Sequence, residues 1–391
     1  MVQAYSNAQT DDLKDELLLF FRDMKDSSLE EQAIHEISDS TNKGNSLLLD
    51  AVAYLTEINS TKAAPTFAKL MKDKNKVLGL SAIRALGKLG AKDQIPTLIT
   101  LFQDPETDSN AKPDIIWALG ELKAQTSLPI LQSEYDDDSD QPLMRKTILE
   151  AFGKIKDPST WDTVSKALHD SNTIVRTAAI SILGDFPGHA DRHASLISAL
   201  RDSDASVRIA AAKAAEDLLD PGLKDLLVYR LNNDPDPKVR LATLTALAKY
   251  PDGPTTVLSV VKDTKQAPEV WKGAVKLMTK NNYPGSMDAV KALMDADDKD
   301  TFSGLSAALT NALIPFRDDF RQAFGLALAS KKAPTRIAGI HAARLGHFTE
   351  YQAMLAKMAA KDTDPNVQAE AAALIKDWEK GPETPTQAPK S

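Results

Sequence analysis

Two histidines, His189 and His193, stand four residues apart, a spacing that can set two imidazoles on one helical face for zinc, and Asp185 and Asp191 lie close by in the chain. Pro187-Gly188 immediately ahead marks His189 as loop or first turn. No third histidine follows, so both are expected at the surface and no metal site is assigned. The run Asp136-Asp137-Asp138-Ser139-Asp140 offers the alternating oxygens of a calcium loop, but it lacks glycine at the sixth position and carries Thr147, not glutamate, at the twelfth. It reads as a solvated turn between helices. The chain has no cysteine, which excludes disulfides, thiolate metal sites and cysteine nucleophiles together. Phosphate-cradling glycine loops, a Gly-x-Ser-x-Gly elbow and a kinase-like residue set are all missing from the sequence. No catalytic residue and no cofactor is assigned, and the expectation is a protein that is not an enzyme.

Any element able to position side chains must come from a chain of 391 residues that is 42% hydrophobic and 26% charged, enough apolar material for a continuous core. The formal charge of −8 and a pI near 5.4 have the wrong sign for a surface built to neutralise phosphates, so nucleic acid is not an expected partner. The longest early apolar run, Leu17 to Phe21, is flanked by Asp15, Glu16 and Arg22 and is far shorter than the roughly 20 residues of a membrane span. No basic and apolar leader is present. Residues 1 to 10 are polar and expected to be flexible, and they could be a mature terminus whose leader was replaced by Met1. That start and the lack of cysteine favour an extracytoplasmic, periplasmic setting, with the cytoplasm as the alternative.

The organising signal is a repeat. Asp170 to Arg176, Asp202 to Arg208 and Asp234 to Arg240 share one template, an Asp followed after four residues by Val-Arg, and Val175, Val207 and Val239 fall 32 residues apart. Met144-Arg145, Val270 and Val367 continue the phase. Within a period, two apolar stretches of helical spacing, such as Ala194 to Leu200 and Val207 to Leu218, flank polar residues suited to a turn and an N-cap. Each unit is therefore expected to be a helical hairpin. Second helices end in Ala85-Leu86-Gly87, Ala118-Leu119-Gly120, Ala151-Phe152-Gly153 and Ile182-Leu183-Gly184, where small residues let neighbouring helices approach.

This pattern resembles HEAT repeats, particularly the short bacterial kind also found in phycobilin-lyase-like proteins, in which a turn Asp and a Val-Arg opening the second helix are typical. The resemblance is strongest from Ala64 to Tyr250. It implies an all-α, right-handed solenoid of about eleven hairpins over residues 11 to 380, with Asp11 to Lys25 as an extra covering helix. Weaker units fall around Asp295 to Phe302 and Lys331 to Arg336, and the Pro-rich residues 381 to 391 are expected to form a disordered tail. HEAT-like iron hydroxylases carry several His-Glu dyads, whereas only His35-Glu36 occurs here. That enzyme reading fails.

The recurring arginines Arg145, Arg176, Arg208, Arg240 and Arg336 have two readings: a ladder gripping an acidic ligand, or structural partners of turn carboxylates. The structural reading is preferred for Asp170, Arg176, Asp202, Arg208, Asp234 and Arg240, because Asp and Arg recur together. In HEAT arrays second helices line the concave face. One outward stripe then runs Arg84, Trp117, Glu150, Ser181, Lys213, Thr245, Lys276, Ala307, His341 and Ala373. A second runs Lys88, Glu121, Lys154, Asp185, Asp217, Lys249, Lys280, Asn311, Leu345 and Asp377. A DNA-binding HEAT protein of the alkylpurine glycosylase type would concentrate cations here, and these stripes alternate in charge. The expectation is a non-catalytic scaffold or adaptor that holds a protein or peptide along this face, with an enzyme or accessory factor of lyase type as the alternative. Arg84, Trp117, Glu121, Glu150, Lys213, Lys249, Lys276 and His341 are the candidate contacts. Trp117 has two readings, interface anchor or packing between second helices.

Overall fold

The computed structural model describes residues 2–8, 10–38, 44–137, 141–189, 191–263, 265–281, 283–286, 325 and 327–379. Every regular element among them is helical, and the chain divides into two compact units, residues 1–195 and 196–391. The expected repeats at Asp295 to Phe302 and the expected tail at 381 to 391 lie outside the described residues. The fold is a HEAT-type α-solenoid arrangement, built in each unit from consecutive helical hairpins.

In the first unit, α1 (Val2–Ser6) and α2 (Asp11–Asp23) precede five hairpins. These are α3 (Glu30–Ser38) with α4 (Asn45–Glu57), α5 (Ala64–Leu70) with α6 (Lys76–Lys88), α7 (Ile95–Gln103) with α8 (Lys112–Glu121), α9 (Leu128–Asp137) with α10 (Pro142–Ile155), and α11 (Trp161–Ala167) with α12 (Thr173–Ser181). The second helices form a continuous row, α4 on α6, α6 on α8, α8 on α10 and α10 on α12, and α2 packs on α4 at the head of it. α13 (Arg192–Leu200) spans the boundary between the units.

The second unit continues with α14 (Ala205–Leu218), α15 (Lys224–Asn233), α16 (Pro237–Leu247), α17 (Gly253–Lys262) and α18 (Pro268–Asn281). It closes with α19 (Ala333–Gly346), α20 (Gln352–Lys361) and α21 (Pro365–Glu379). Here too the second helices stack, α14 on α16, α16 on α18 and α19 on α21.

A two-step turn explains why each second helix starts where it does. The Asp ending a first helix accepts a hydrogen bond from the N–H two residues on: Asp73 from Asn75 at 2.8 Å, Asp170 from Asn172 at 2.8 Å, Asp202 from Asp204 at 2.8 Å, Asp362 from Asp364 at 2.9 Å. The residue so fixed is itself the N-cap. Asn172 accepts from Ile174 N–H at 2.9 Å, Asp204 from Ser206 at 2.8 Å and Asp236 from Lys238 at 2.8 Å, satisfying donors that a helix start leaves without partners. Fifteen residues after the cap the chain turns left-handed, at Asn59, Gly90, Lys123, Lys156, Leu219 and His347, which ends the helix and sends the chain into the next hairpin. Thr10 caps α2 and Lys25 ends it in the same register, so α2 has the cap and the end of a second helix.

The interior is the layer between consecutive hairpins. Leu78, Val175, Val207, Val239 and Val367, each three residues after its cap, are fully buried, as are Ile115 and Ile148 one turn further along α8 and α10, and burying a side chain of that size is worth about 1.5–3 kcal/mol each. Two features differ from the expectation. The opening segment contains α1, whose Tyr5 is 2% exposed, so this stretch docks instead of trailing free. Burial first, and then the Glu36 carboxylate, push the Tyr5 hydroxyl well above its ordinary range. Asp136 and Asp137, expected in a turn, form the last turn of α9, while Asp138 to Asp140 lie outside the described residues.

Candidate functional site

The arginine register falls four residues after each N-cap, and the best resolved rung is Arg208. Its guanidinium makes a bidentate pair with Asp234, Nε to Oδ2 at 2.8 Å and Nη2 to Oδ1 at 2.9 Å. Nη1 donates to the carbonyls of Asp202 and Ser203 at 2.9 Å each. Arg230 reaches the same carboxylate at 3.3 Å, and the Asp234 side chain is 0% exposed. Each rung thus ties the turn of one hairpin to the turn of the next. Arg336 repeats the geometry with Asp362 at 2.7 Å and the Ser330 carbonyl at 2.9 Å, and Arg145 pairs with Asp170. Arg176 donates to the carbonyls of Asp170 at 2.8 Å and Ser171 at 3.0 Å. The Nε of Arg240 is buried and has no hydrogen-bond partner among the described residues. The guanidiniums of Arg208, Arg145 and Arg336 are committed to turn carboxylates, although the buried Nε of Arg145 and of Arg336 has no hydrogen-bond partner among the described residues.

Burial raises the Asp362 carboxyl, but the Arg336 guanidinium and the Asp364 N–H outweigh it and hold the group below its ordinary value. In α21, Gln368 occupies the arginine position and donates to the Asp362 carbonyl at 2.7 Å, reproducing half of a rung without charge.

Outward positions of the second helices bring several of the candidate contacts together in the first unit. Trp117, Glu121, Glu150, Lys154, Lys156 and Asp185 line one cleft of about 510 Å³, floored by Ala151, Gly153 and Ile182. Its charges are paired across hairpins: Lys154 with Glu121 at 2.9 Å and Lys156 with Asp185 at 2.8 Å, while Glu150 meets Lys146 at 3.2 Å within α10. Arg84 does not line the cleft and instead pairs with Asp114 at 2.8 Å.

Trp117 is half-buried and does two things at once. Its ring edge lies against Gly87 of α6, so closely that a Cβ there would stand 2.8 Å from Cζ3, while the indole also forms one wall of the cleft. The same close approach recurs down the row. A Cβ on Gly120 would stand 3.0 Å from Ala151 Cα, and one on Gly153 would stand 2.5 Å from Ile182 Cγ2. Glycine at these positions is therefore a condition for the spacing of α6, α8, α10 and the residues after α12.

The remaining candidates are spread over the second unit. Lys213, Lys249 and Lys276 are exposed; Lys249 lies 4.0 Å from Glu216, and His341 lies 3.3 Å from Glu370. Ala307 and Asn311 of the stripes lie outside the described residues. His189 stacks on Trp161, with ring centroids 4.1 Å apart and planes 13° from parallel, a contact the four-residue spacing to His193 did not reveal. Among the described residues no group of three or more His, Asp or Glu side chains is placed to hold a metal ion. None of the described helices is long and apolar enough to cross a membrane.

The fold and the turn-to-turn rungs define the class: a repeat protein of stacked HEAT hairpins. The chain belongs to the spirochaete HEAT repeat protein family, whose model matches residues 1–374. A search of curated proteins finds no match. Among solved structures, importin beta is similar over 97% of this chain and 63% of that one, at 13% identity and a TM-score of 0.50. Kap95p in its complex with RanGDP is similar over 96% and 60%, at 14% identity and 0.49. The CpcE and CpcF complex of phycocyanin lyase from Nostoc sp. PCC7120 is similar over 63% and 92%, at 19% identity and 0.40. At such identities the likeness is one of fold. This chain spans under two thirds of the importin beta and Kap95p chains.

Proposed function

We propose that the chain is a non-catalytic scaffold that binds a protein or peptide partner along the second helices of its first unit, anchored at the cleft beside Trp117. The observation that carries this reading is the cleft itself: a half-buried indole on one wall, backbone and small side chains as floor, and paired charges of both signs around the rim. Aromatic anchors set in a polar rim are the arrangement that concentrates binding energy at protein interfaces. The ion pairs at the rim are partly exposed, so they supply orientation and specificity more than affinity.

The test couples binding to stability. A partner purified with the full chain from the cells of origin is titrated against wild-type protein and Trp117→Ala, with a thermal melt of each. If the indole is the anchor, the variant loses about 2 kcal/mol of affinity, close to thirtyfold, with its melting temperature little changed. Unchanged affinity with a lowered melting temperature would assign Trp117 to packing against Gly87 alone and move the search to Lys213, Lys249 and Lys276.

A further inference from the structure

The arginine register is interrupted at Leu48 of α4, Gln368 of α21 and, with carboxylates close by, at α6. Four residues after their N-caps, α10, α12, α14, α16 and α19 carry Arg145, Arg176, Arg208, Arg240 and Arg336, and Lys112 stands four residues after Asp108, the cap of the 3-10 turn that leads into α8, with its ammonium 2.6 Å from Glu134. The same position of α6, counted from its cap Asn75, is Gly79. The acceptor side of the rung is nonetheless in place. Asp104 ends α7 and accepts from Glu106 N–H at 3.1 Å, the bond that Asp234 makes with Asp236 at 3.0 Å below the buried Arg208 rung. A cavity of about 410 Å³ reaches from Gly79 to Asp104 and Asp108, with Leu80, Ile83 and Leu101 among its walls, while a Cβ on Gly79 itself would stand 3.2 Å from the Met71 carbonyl oxygen. That volume is in the range of small-ligand pockets, roughly 300–1,000 Å³.

We infer that this cavity receives the guanidinium of an arginine side chain from a protein partner, which completes the rung that α6 leaves open. The chemistry of the walls matches that occupant. Asp104 offers a carboxylate for a bidentate pair like that of Arg208 with Asp234, and the apolar walls suit the methylene stem of an arginine. Two lysines of the preceding turn now neutralise the acids: Lys72 lies 3.0 Å from Asp104, and Lys76 pairs with Asp108. Both are largely exposed, 59% and 76%, so an incoming guanidinium displaces cations that hold their carboxylates weakly and that return to water at little cost. An ammonium would compete less well than a guanidinium, because it cannot present two parallel donors to one carboxylate. The site is separate from the Trp117 cleft, and neither reading requires the other.

The probe is N-acetyl-arginine amide, titrated into the full chain while the methyl resonances of Leu80 and Ile83 are followed by NMR. The expected result is a saturable shift confined to this cavity, with N-acetyl-lysine amide binding about tenfold more weakly. Asp104→Asn should abolish the shift with its helical circular dichroism unchanged. Lys72→Ala, which removes the competing ammonium and leaves the carboxylate, should tighten binding by about two- to fivefold. The inference is overturned if the shift does not saturate, if it persists in Asp104→Asn, if Lys72→Ala weakens binding, or if the lysine amide binds as well as the arginine amide.

Discussion

The two compact units share one turn and one helix register yet join their second helices by different means. In the first unit the position twelve residues after the cap is glycine in four successive hairpins, Gly87, Gly120, Gly153 and Gly184; Gly87 and Gly120 approach the backbone of Ala118 and Ala151, and Gly153 approaches the side chain of Ile182. In the second unit the same position holds Glu216, Ala248 and Arg344. The arginine position runs the other way. It is Leu48, Gly79 and Lys112 in the first three hairpins and becomes arginine only at Arg145 and Arg176, whereas the second unit has Arg208, Arg240 and Arg336 before Gln368, with Arg208 in a buried bidentate pair. The first unit adds close packing at glycine to a charged rung, Arg145 with Asp170, whereas the second holds neighbouring hairpins by charge paired out of water without those glycines. The difference has consequences: a shape seam is sensitive to added volume and indifferent to pH, and a charged rung is the reverse.

The largest effect that tests this contrast is Arg208→Ala. It would leave the Asp234 carboxylate buried with Arg230 and the Asp236 N–H as partners, and removal of one partner from a buried pair costs roughly 3–5 kcal/mol. Arg230 should keep the loss near the lower end, about 3 kcal/mol. Because each hairpin touches only its neighbours, amide protection should fall in α14, α15 and α16 while α8 and α10 keep theirs. Equal loss of protection in both regions would sink the contrast.

A smaller effect probes the shape seam. Gly120→Ala places a methyl 3.0 Å from Ala151 Cα, a backbone atom that cannot rotate aside, so the variant should lose about 1–3 kcal/mol by overpacking. The control is Ala248→Gly at the same register of the second unit, where only the helix-propensity cost of glycine, about 1 kcal/mol, is expected. Denaturant midpoints for the pair decide it. If Gly120→Ala is neutral, α8 and α10 are not held at contact distance by that glycine.

The rung of Arg336 with Asp362 predicts a pH dependence with a definite sign. Asp362 has a folded-state value below that of an unfolded aspartate, about 3.9. Its contribution to stability is therefore fully present above that pH and is lost as pH falls through the lower, folded value. Asp362→Asn should reduce stability at neutral pH and flatten the acid limb of the stability curve below about pH 4. An acid limb as steep as that of the wild type would mean that other carboxylates carry it.

What the sequence made legible, and what it hid, follows the same division. The turn Asp and the Val-Arg stand within six residues and recur at a fixed period, so the pattern exposes both hairpins and rungs. The docking of α1 rests on one aromatic, Tyr5, in a polar stretch, and composition gives that no weight. The double role of Trp117 depends on Gly87, thirty residues earlier, which is a spatial neighbour only once α6 and α8 are stacked. The open rung is harder still to see, because an absent side chain leaves no residue to notice, and Gly79 has meaning only when the N-caps set the register. The stack of His189 on Trp161 bridges a first helix and a later loop, so no local spacing encodes it.

The smallest prediction concerns how the two units end their helices. The residue fifteen positions after the cap is left-handed in both, with φ of 65° at Gly90 and 48° at Leu219. Glycine adopts this conformation without penalty, while a side chain there costs about 1–2 kcal/mol because its Cβ crowds the next carbonyl. Leu219 is 45% exposed, so its contacts return only part of that cost. Leu219→Gly should accordingly stabilise the second unit, by somewhat less than 1 kcal/mol once the extra freedom of an unfolded glycine is subtracted. Gly90→Ala should do the opposite in the first unit, a loss of about 1 kcal/mol, since nothing lies within 4 Å of the added methyl and only backbone strain is introduced. The two variants are compared by urea denaturation. Opposite signs place the cost in the backbone of the turn; a destabilised Leu219→Gly would instead show that the leucine packs well enough to justify its strain, and that the second unit ends its helices by side-chain contact as it joins them by side-chain charge.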